Sequence, residues 1–345
     1  MSETLFFVLF LIFIAFMLTL DLGVFHKKNH VISFKEATLW TCVWIAVSLL
    51  FFVLMYFHGE WIHGIHDMAG LKEYNLKYGN SVPLNESLSF DENLALFRKT
   101  ISLEFLTGYL IEKALSLDNI FVMLLIFLSF KVDPKYYHRV LFYGILGAIV
   151  LRFIFIFLSA ALIQRFHWIL LIFGVFLVYT GIKLFFQRNK TETIDVDQHP
   201  VVKFLARRKL CTGYDGPRFF SRVDGRLMLT PLFVVLLIIE FSDVIFAVDS
   251  IPAIFSVTSD PYIVFFSNIF AILGLRALFF VLQSAMDKFS YLKIGLAALL
   301  TFIGIKMVLP FVSPWHIPTV TSLIVILCIL FISIMASLFF PRKTS

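Results

Sequence analysis

Stretches of about 20 consecutive apolar residues recur along this chain, and that is the length a helix needs to cross the hydrocarbon of a bilayer. TLFFVLFLIFIAFMLTLDLGVF opens the sequence in this way, and LIVILCILFISIMASLFF closes it. With 60% of 345 residues hydrophobic and 15% charged, no soluble core could hide so much apolar surface. Hydrocarbon offers no partner to backbone N–H and C=O groups, so such segments span as helices. The expected fold is an all-α polytopic membrane protein, with residues 1–345 forming one transmembrane domain.

About nine spans are expected, near 5–25, 37–57, 101–130, 136–161, 166–187, 229–256, 262–286, 290–310 and 319–340. The third and sixth look long, approaching about 30 residues. Two leading helices (5–57) precede the rest, a basic loop (188–228) divides the middle, and a last helix (319–340) ends the chain. No basic residue precedes the first apolar run, whereas His26, Lys27 and Lys28 follow it. That argues against a cleaved signal peptide and for an N-terminus outside. In that orientation only Lys72, Lys77, Arg98, Lys99 and Arg165 fall in outside loops. Most other Lys and Arg residues fall inside, and the C-terminus is cytoplasmic. Net charge +6 is therefore a loop property and no sign of nucleic-acid binding. Cys42, Cys211 and Cys328 are isolated, with no metal or disulfide spacing.

Two loops carry further signals. In RFFSRVDGRLMLT, Asp224-Gly225 between short apolar-alternating runs predicts a β-hairpin with a type I′ turn. The surrounding basic loop reads as a solvated structural loop, with lipid-headgroup or partner binding as the alternative. In the outside loop, HGEWIHGIHD places His63 and His66 three apart, with His58, Glu60 and Asp67 nearby. An interfacial turn with Trp61 at headgroup level is the plainer reading, and metal capture the other.

The sequence also repeats itself. When LSLDNI (115–120) is set on FAVDSI (246–251), Asp118 matches Asp249, Asn119 matches Ser250 and Glu112 falls on Asp243. Downstream, Asp133-Pro134 matches Asp260-Pro261, Arg152 matches Arg276, and TGIKLFF matches IGIKMVL through Lys183 and Lys306. The copies are repeat 1 (101–187) and repeat 2 (229–310). Each holds three spans, and an odd number sends the second copy across from the opposite side. Inverted repeats of this kind build secondary transporters, with discontinuous helices at a midplane site.

Glu112, Asp118, Glu240, Asp243 and Asp249 lie deep in these spans. Each charge at that depth costs about 3 kcal/mol even on a lenient scale, so they must be paired, protonated or bound to cations. Lys113, Arg152 and Arg276 are available partners. Asp243 and Asp249 are six apart, about 240° around an ideal helix. Pro252 predicts a break near Val248–Ile251 that would bring them together. Ser116 and Asp118-Asn119 suggest a matching, softer break in span three. Carboxylates, exposed carbonyls, Asn119 and Ser250 make an all-oxygen site suited to Mn²⁺, Mg²⁺ or Ca²⁺. A structural salt-bridge network or a proton relay is the alternative. Asp21 is a boundary acid or an inner entrance, Glu104 an interfacial charge. Lys183 and Lys306 snorkel or share a packing role.

EKALSLDNIFV, IIEFSDVIFAVDSIPAIF, SNIFAILGLRALFF and YLKIGLAALLTFIGIKM resemble the TerC family of integral membrane proteins, including its Alx-like branch. The likeness runs from TLDLGVF (19–25) to HIPT (316–319), nearly the whole chain. It implies a relative of small lysine and cation exporters in the bacterial inner membrane. Its role would be manganese export from the cytoplasm, although the family bears a tellurium-resistance name. Some relatives are implicated in metallating secreted enzymes or in membrane-protein biogenesis. The motifs carry the metal positions to Glu112, Asp118, Glu240, Asp243 and Asp249.

The expectation is therefore a transporter and not an enzyme, with Mn²⁺ as transported ion, no resident cofactor, and lipids and counter-moving protons as partners. Arg152 and Arg276 would hold the site together between ions. The chain has no GxxxxGK[ST] motif for ATP coupling. A membrane assembly factor, whose acids lock the repeats, and a tellurite-resistance component are the alternatives.

Overall fold

The computed structural model describes residues 2–25, 33–79, 82–166, 168–187, 202–203, 212–213, 215–223, 226–284, 291–313, 315 and 317–339. Its helices are α1 (Glu3–Phe25), α2 (Phe34–His58), α3 (Met68–Lys77), α4 (Phe90–Ser129), α5 (Tyr137–Arg165) and α6 (Ile169–Gln187). They continue with α7 (Pro231–Phe255), α8 (Pro261–Leu273), α9 (Leu275–Gln283), α10 (Leu292–Val312) and α11 (Thr319–Phe339).

Local sequence sets many of the starts. Ser33 accepts from Glu36 N to cap α2. Ser89 and Glu92 form a reciprocal capping box at α4. Pro231 and Pro261 open α7 and α8, where a missing N–H costs nothing. The predicted hairpin is present as β1 (Phe220–Val223) and β2 (Arg226–Leu229), antiparallel with Phe220 opposite Leu229 and Val223 opposite Arg226. Asp224-Gly225, and with it the turn type, lies outside the described residues.

Among the described residues seven helices are long and apolar enough to cross a membrane: α1, α2, α5, α6, α7, α10 and α11. The α8–α9 pair, bent by 42°, makes an eighth if counted as one span. The remaining expected span falls on α4. This helix has 40 residues, about 60 Å at 1.5 Å per residue. Glu104, Glu112, Lys113 and Asp118 interrupt its apolar part. Packing shows where it belongs, since α4 lies against α2, α7 and α8 in the middle of the bundle. The outer helices do the reverse of a soluble fold. Leu50 on α2 is 67% exposed and Phe331 on α11 65% exposed, as side chains facing lipid should be.

The two repeated blocks pack crosswise. α4 lies on α8 as α7 lies on α5, and the third helices, α6 and α10, lie against each other. Glycine makes that last contact possible. A Cβ on Gly304 would stand 2.7 Å from the Gly174 carbonyl and the Val178 nitrogen, and one on Gly181 would stand 2.8 Å from the Ala297 carbonyl. Without a hydrophobic drive between helices in lipid, such close backbone approach is what holds them. A phenylalanine cluster joins α1, α2, α4 and α8, with Phe10 and Phe266 centroids 4.3 Å apart and Phe51 and Phe270 4.7 Å apart.

The expected breaks are not where the sequence placed them. α7 has 25 residues, not nearly 30, and runs unbroken through Val248–Ile251. Pro252 falls in its last turn, where little helix remains to be disrupted. α4 is also continuous past Asp118. The discontinuity lies instead at Gly274, between α8 and α9. A Cβ there would meet Lys113 Nζ at 2.8 Å and Trp44 Cβ at 3.0 Å.

Candidate functional site

Arg152 of α5 is the centre of a buried polar node. Its side chain is fully enclosed, yet it meets partners from three other helices. Nη1 donates to Glu112 Oε1 of α4 and to Asn268 Oδ1 of α8. Nη2 lies 3.1 Å from Asp243 Oδ1 and Nε 3.4 Å from Asp243 Oδ2, so α7 is held by a two-pronged contact. Asn119 Nδ2 donates to Asp243 Oδ1 at 2.9 Å. Glu112 and Asp243, the repeat-equivalent acids, thus share one cation.

Beside this node is a cavity of about 150 Å³. Glu112, Ser116, Asp118, Asn119, Asp249 and Ser250 line it, with Arg152 and Lys183. The second pair of repeat-equivalent acids, Asp118 and Asp249, therefore faces one space. Five buried oxygens in its wall have no hydrogen-bonding partner among the described residues: Glu112 Oε2, Ser116 Oγ, Asn119 Oδ1, Asp249 Oδ1 and Ser250 Oγ. A buried polar atom left without a partner costs about 1–3 kcal/mol. A wall of such oxygens is explained when water or a cation is their partner.

The other expected site residues lie apart. Glu240 lies against α5, where a Cβ on Gly147 would fall on its carboxylate. It lines a separate narrow gap with Asp243 and Arg276. Lys113 Nζ donates to the Ala271 carbonyl at 3.2 Å, in the last turn of α8 beside the bend, and does not line the cavity. The side chain of Asp21 lies outside the described residues, although its backbone is in α1. Among the described residues, no three His, Cys, Asp or Glu side chains converge on one point as ligands. The expected five-acid set is thus divided into a node, a cavity and a gap.

Two further groups were misread from sequence. Glu104 is 1% exposed, not an interfacial charge. Its place one face of α4 away from lipid follows from the central packing of that helix, which no local signal reveals. His63 is also buried. Nε2 lies 2.6 Å from Asp260 Oδ2, Nδ1 lies 3.6 Å from Glu3, and Tyr74 donates to the same Asp260 oxygen at 3.2 Å. Burial pushes the imidazole down, but the charge and hydrogen bond of Asp260, with Glu3 behind, outweigh it and hold His63 at about 9. Burial and then the Asp260 charge push the Tyr74 and Tyr78 hydroxyls up. Three neighbours in HGEWIHGIHD are engaged in other contacts. Glu60 binds Arg98 at 2.6 Å, Asp67 caps α3, and His58 stacks on Trp61. The segment is a lid on one face of the bundle, and among the described residues no metal cluster forms in it.

The chain matches the family described as "Integral membrane protein TerC family" over residues 97–345. It is 46% identical over 336 residues to an "Uncharacterized membrane protein" of Myxococcus xanthus, covering 96% of this chain and 92% of that one. It is 42% identical over 327 residues to the "Putative membrane-bound redox modulator Alx" of Salmonella typhi, covering 94% and 91%. A protein of the same name in Escherichia coli K12 is 42% identical over 323 residues, covering 93% and 90%. No solved structure matches.

Proposed function

The chain belongs to the TerC family of integral membrane proteins, and from that premise we propose that it is a secondary transporter exporting a divalent cation, Mn²⁺ by family resemblance, in exchange for protons. The observation that carries this reading is the cavity wall of unpartnered oxygens between Asp118 and Asp249. Oxygen donors from carboxylate, amide and hydroxyl suit a hard divalent ion. Glu112, Asp118 and Asp249 bring three carboxylates to this wall beside Arg152 and Lys183, so it offers the anionic donors a cation takes. Glu240 and Arg276, in the adjoining gap, belong to the site only if the helices shift during transport.

The crosswise packing of α4 on α8 and α7 on α5 supports two inverted three-helix repeats, with α4 and the bent pair completing nine spans. An N-terminus outside and a C-terminus in the cytoplasm of a bacterial inner membrane agree with the basic-residue bias. Export of two charges against about 100 mV costs about 4.6 kcal/mol, so uncoupled flow would run inward. Protons are the natural counter-ion, because protonating Asp118 and Asp249 removes the charge that holds the metal.

A second reading has its own support. Glu112 and Asp243 are both already held by Arg152, as they would be in a membrane assembly factor with a purely structural network. The two readings separate in proteoliposomes. Transport predicts Mn²⁺ flux by the wild type and its loss in Asp118→Asn and Asp249→Asn. Wild-type flux in either folded variant defeats the site assignment, and no flux in the wild type with Mn²⁺, Mg²⁺ or Ca²⁺ favours the structural network. A redox role, as in the name borne by the Alx relatives, predicts that Cys42→Ser, Cys211→Ser and Cys328→Ser together abolish function. Transport predicts that flux survives them.

A further inference from the structure

The two repeat-equivalent lysines stand at two different cavities. Lys183, Leu184 and Gln187 of α6 line the cavity described above. Lys306, Met307 and Pro310 of α10, in the same register, line a second cavity of about 330 Å³. The same face of each third helix therefore walls one cavity. The second includes Thr258 and Ser259 from the α7–α8 turn and Gly79 from the lid segment. That puts it on the face where Glu3, His63 and Asp260 meet, whereas Gln187 ends α6 near the other face.

Behind the wall of this second cavity lies Glu104. The Thr258 side chain hydrogen-bonds its carboxylate, and Lys306 and Asp260 act on its charge. Glu104 Oε2 is buried and has no hydrogen-bonding partner among the described residues. Neither the Arg152 node nor the first cavity uses this acid, although it stands two turns from Glu112 on the same helix.

We propose that the second cavity is the opposite-face vestibule of the same ion path, with Glu104 as its carboxylate for a hard divalent cation. The proposal rests on the transport reading. Thr258 and Ser259 add hydroxyl oxygens to the carboxylate, which is the donor chemistry such ions take. Lys306 competes for the same carboxylate. A dication arriving there meets one carboxylate opposed by Lys306, whereas three carboxylates line the first cavity. The second site is therefore the weaker one, as a release site must be for an ion to leave.

The test uses the full chain carrying Cys42→Ser, Cys211→Ser and Cys328→Ser in sealed vesicles of both orientations. Ser259→Cys and Gln187→Cys are introduced singly and treated with a membrane-impermeant maleimide, with and without Mn²⁺. The expected result is modification of the two positions from opposite faces, slowed at both by Mn²⁺. Glu104→Gln then weakens protection at position 259 about tenfold, the loss of one charge-assisted contact, and leaves position 187 unchanged. Lys306→Gln strengthens protection at 259. Modification of both positions from one face overturns the vestibule. Protection at 259 that survives Glu104→Gln, or that both substitutions weaken alike, overturns the role of Glu104. Protection at 187 with none at 259 removes this inference and leaves the transport reading standing, while no protection at either position removes both.

Discussion

Repeat 1 and repeat 2 carry the same ionic residues in the same order, and the structure uses some of them alike and others differently. Glu112 and Asp243 converge on Arg152, and Asp118 and Asp249 face one cavity. Gly181 and Gly304, which precede the two lysines, both lie where α6 meets α10. By contrast, Asp133 is exposed and pairs with Lys135, whereas Asp260 is fully buried under His63 and Tyr74. Equivalent residues converge where the blocks meet, because each copy supplies half of a shared environment. They diverge at the faces, because residues 58–79 cover Asp260, whereas the Asp133 side chain stays open to solvent.

The strongest way to break this comparison is at Arg152. Arg152→Gln leaves Glu112 and Asp243 buried without their shared counter-charge, and removing one partner of a buried ion pair costs about 3–5 kcal/mol. Thermal unfolding of the purified protein in detergent should show the loss directly. Adding Glu112→Gln and Asp243→Asn to the same chain should restore most of it, since no charge is then stranded. If the triple variant is no more stable than the single one, the acids do not converge on this cation.

Asp260→Asn comes next, with an expected cost of about 3 kcal/mol, because it strands the His63 imidazolium. The groups facing His63 are Glu3 from α1, Asp260 capping α8, Tyr262 from α8, Tyr74 from α3 and Tyr78 just after it. His63 is raised above 6.5 to about 9. Its stabilising contribution is therefore complete below pH 6.5 and lost as pH climbs through about 9. The wild type should lose Tm over that window, and Asp260→Asn and His63→Gln should not. An identical alkaline decline in all three would remove His63 as its source.

Gly181→Val and Gly304→Val sharpen the part of the comparison where the halves agree. Each adds a side chain where the partner backbone stands within van der Waals contact, and overpacking of this kind costs about 1–3 kcal/mol. Similar Tm losses are expected for the two. A loss at one position and silence at the other would show that the contact between α6 and α10 is not shared evenly.

Much of this was legible in the sequence. Apolar run length placed the seven long apolar helices and the bent pair, and the repeated Asp-Asn and Asp-Ser motifs gave both acid pairs. The hairpin followed from local turn chemistry, whereas the Asp-Pro pairs showed only as matching positions of the repeat. What failed was anything set by neighbours distant in sequence. Pro252 suggested a break by local sterics, but its effect depends on how much helix follows it, and α7 ends three residues later. Gly274 gave no local warning, because the bend answers to Trp44 and Lys113 from other helices. Glu104 and His63 read as surface groups because nothing in their own segments shows what covers them. Glu240 shares a helix face with Asp243, yet room made by Gly147 draws it aside.

The smallest expected effect is at Asp133, and it tests the contrast at the two faces. Asp133 and Asp260 do the same local work. Each precedes a proline and accepts a backbone N–H two residues on, at 3.1 Å from Lys135 and 2.9 Å from Tyr262. Only their surroundings differ. The hydrogen bonds from the Lys135 side chain and backbone hold the Asp133 carboxyl below its ordinary 3.8. Its contribution is thus present above pH 3.8 and lost as pH falls through that lowered value, the opposite limb from His63. Asp133→Asn keeps an oxygen able to cap the turn, and the Lys135 contact it loses is solvent-exposed and weak. Its Tm loss should be smaller than for either glycine variant and should fade only as pH falls below 3.8. Should Asp133→Asn prove as costly as Asp260→Asn, the cap itself, and not the buried histidine, would be what makes Asp260 matter.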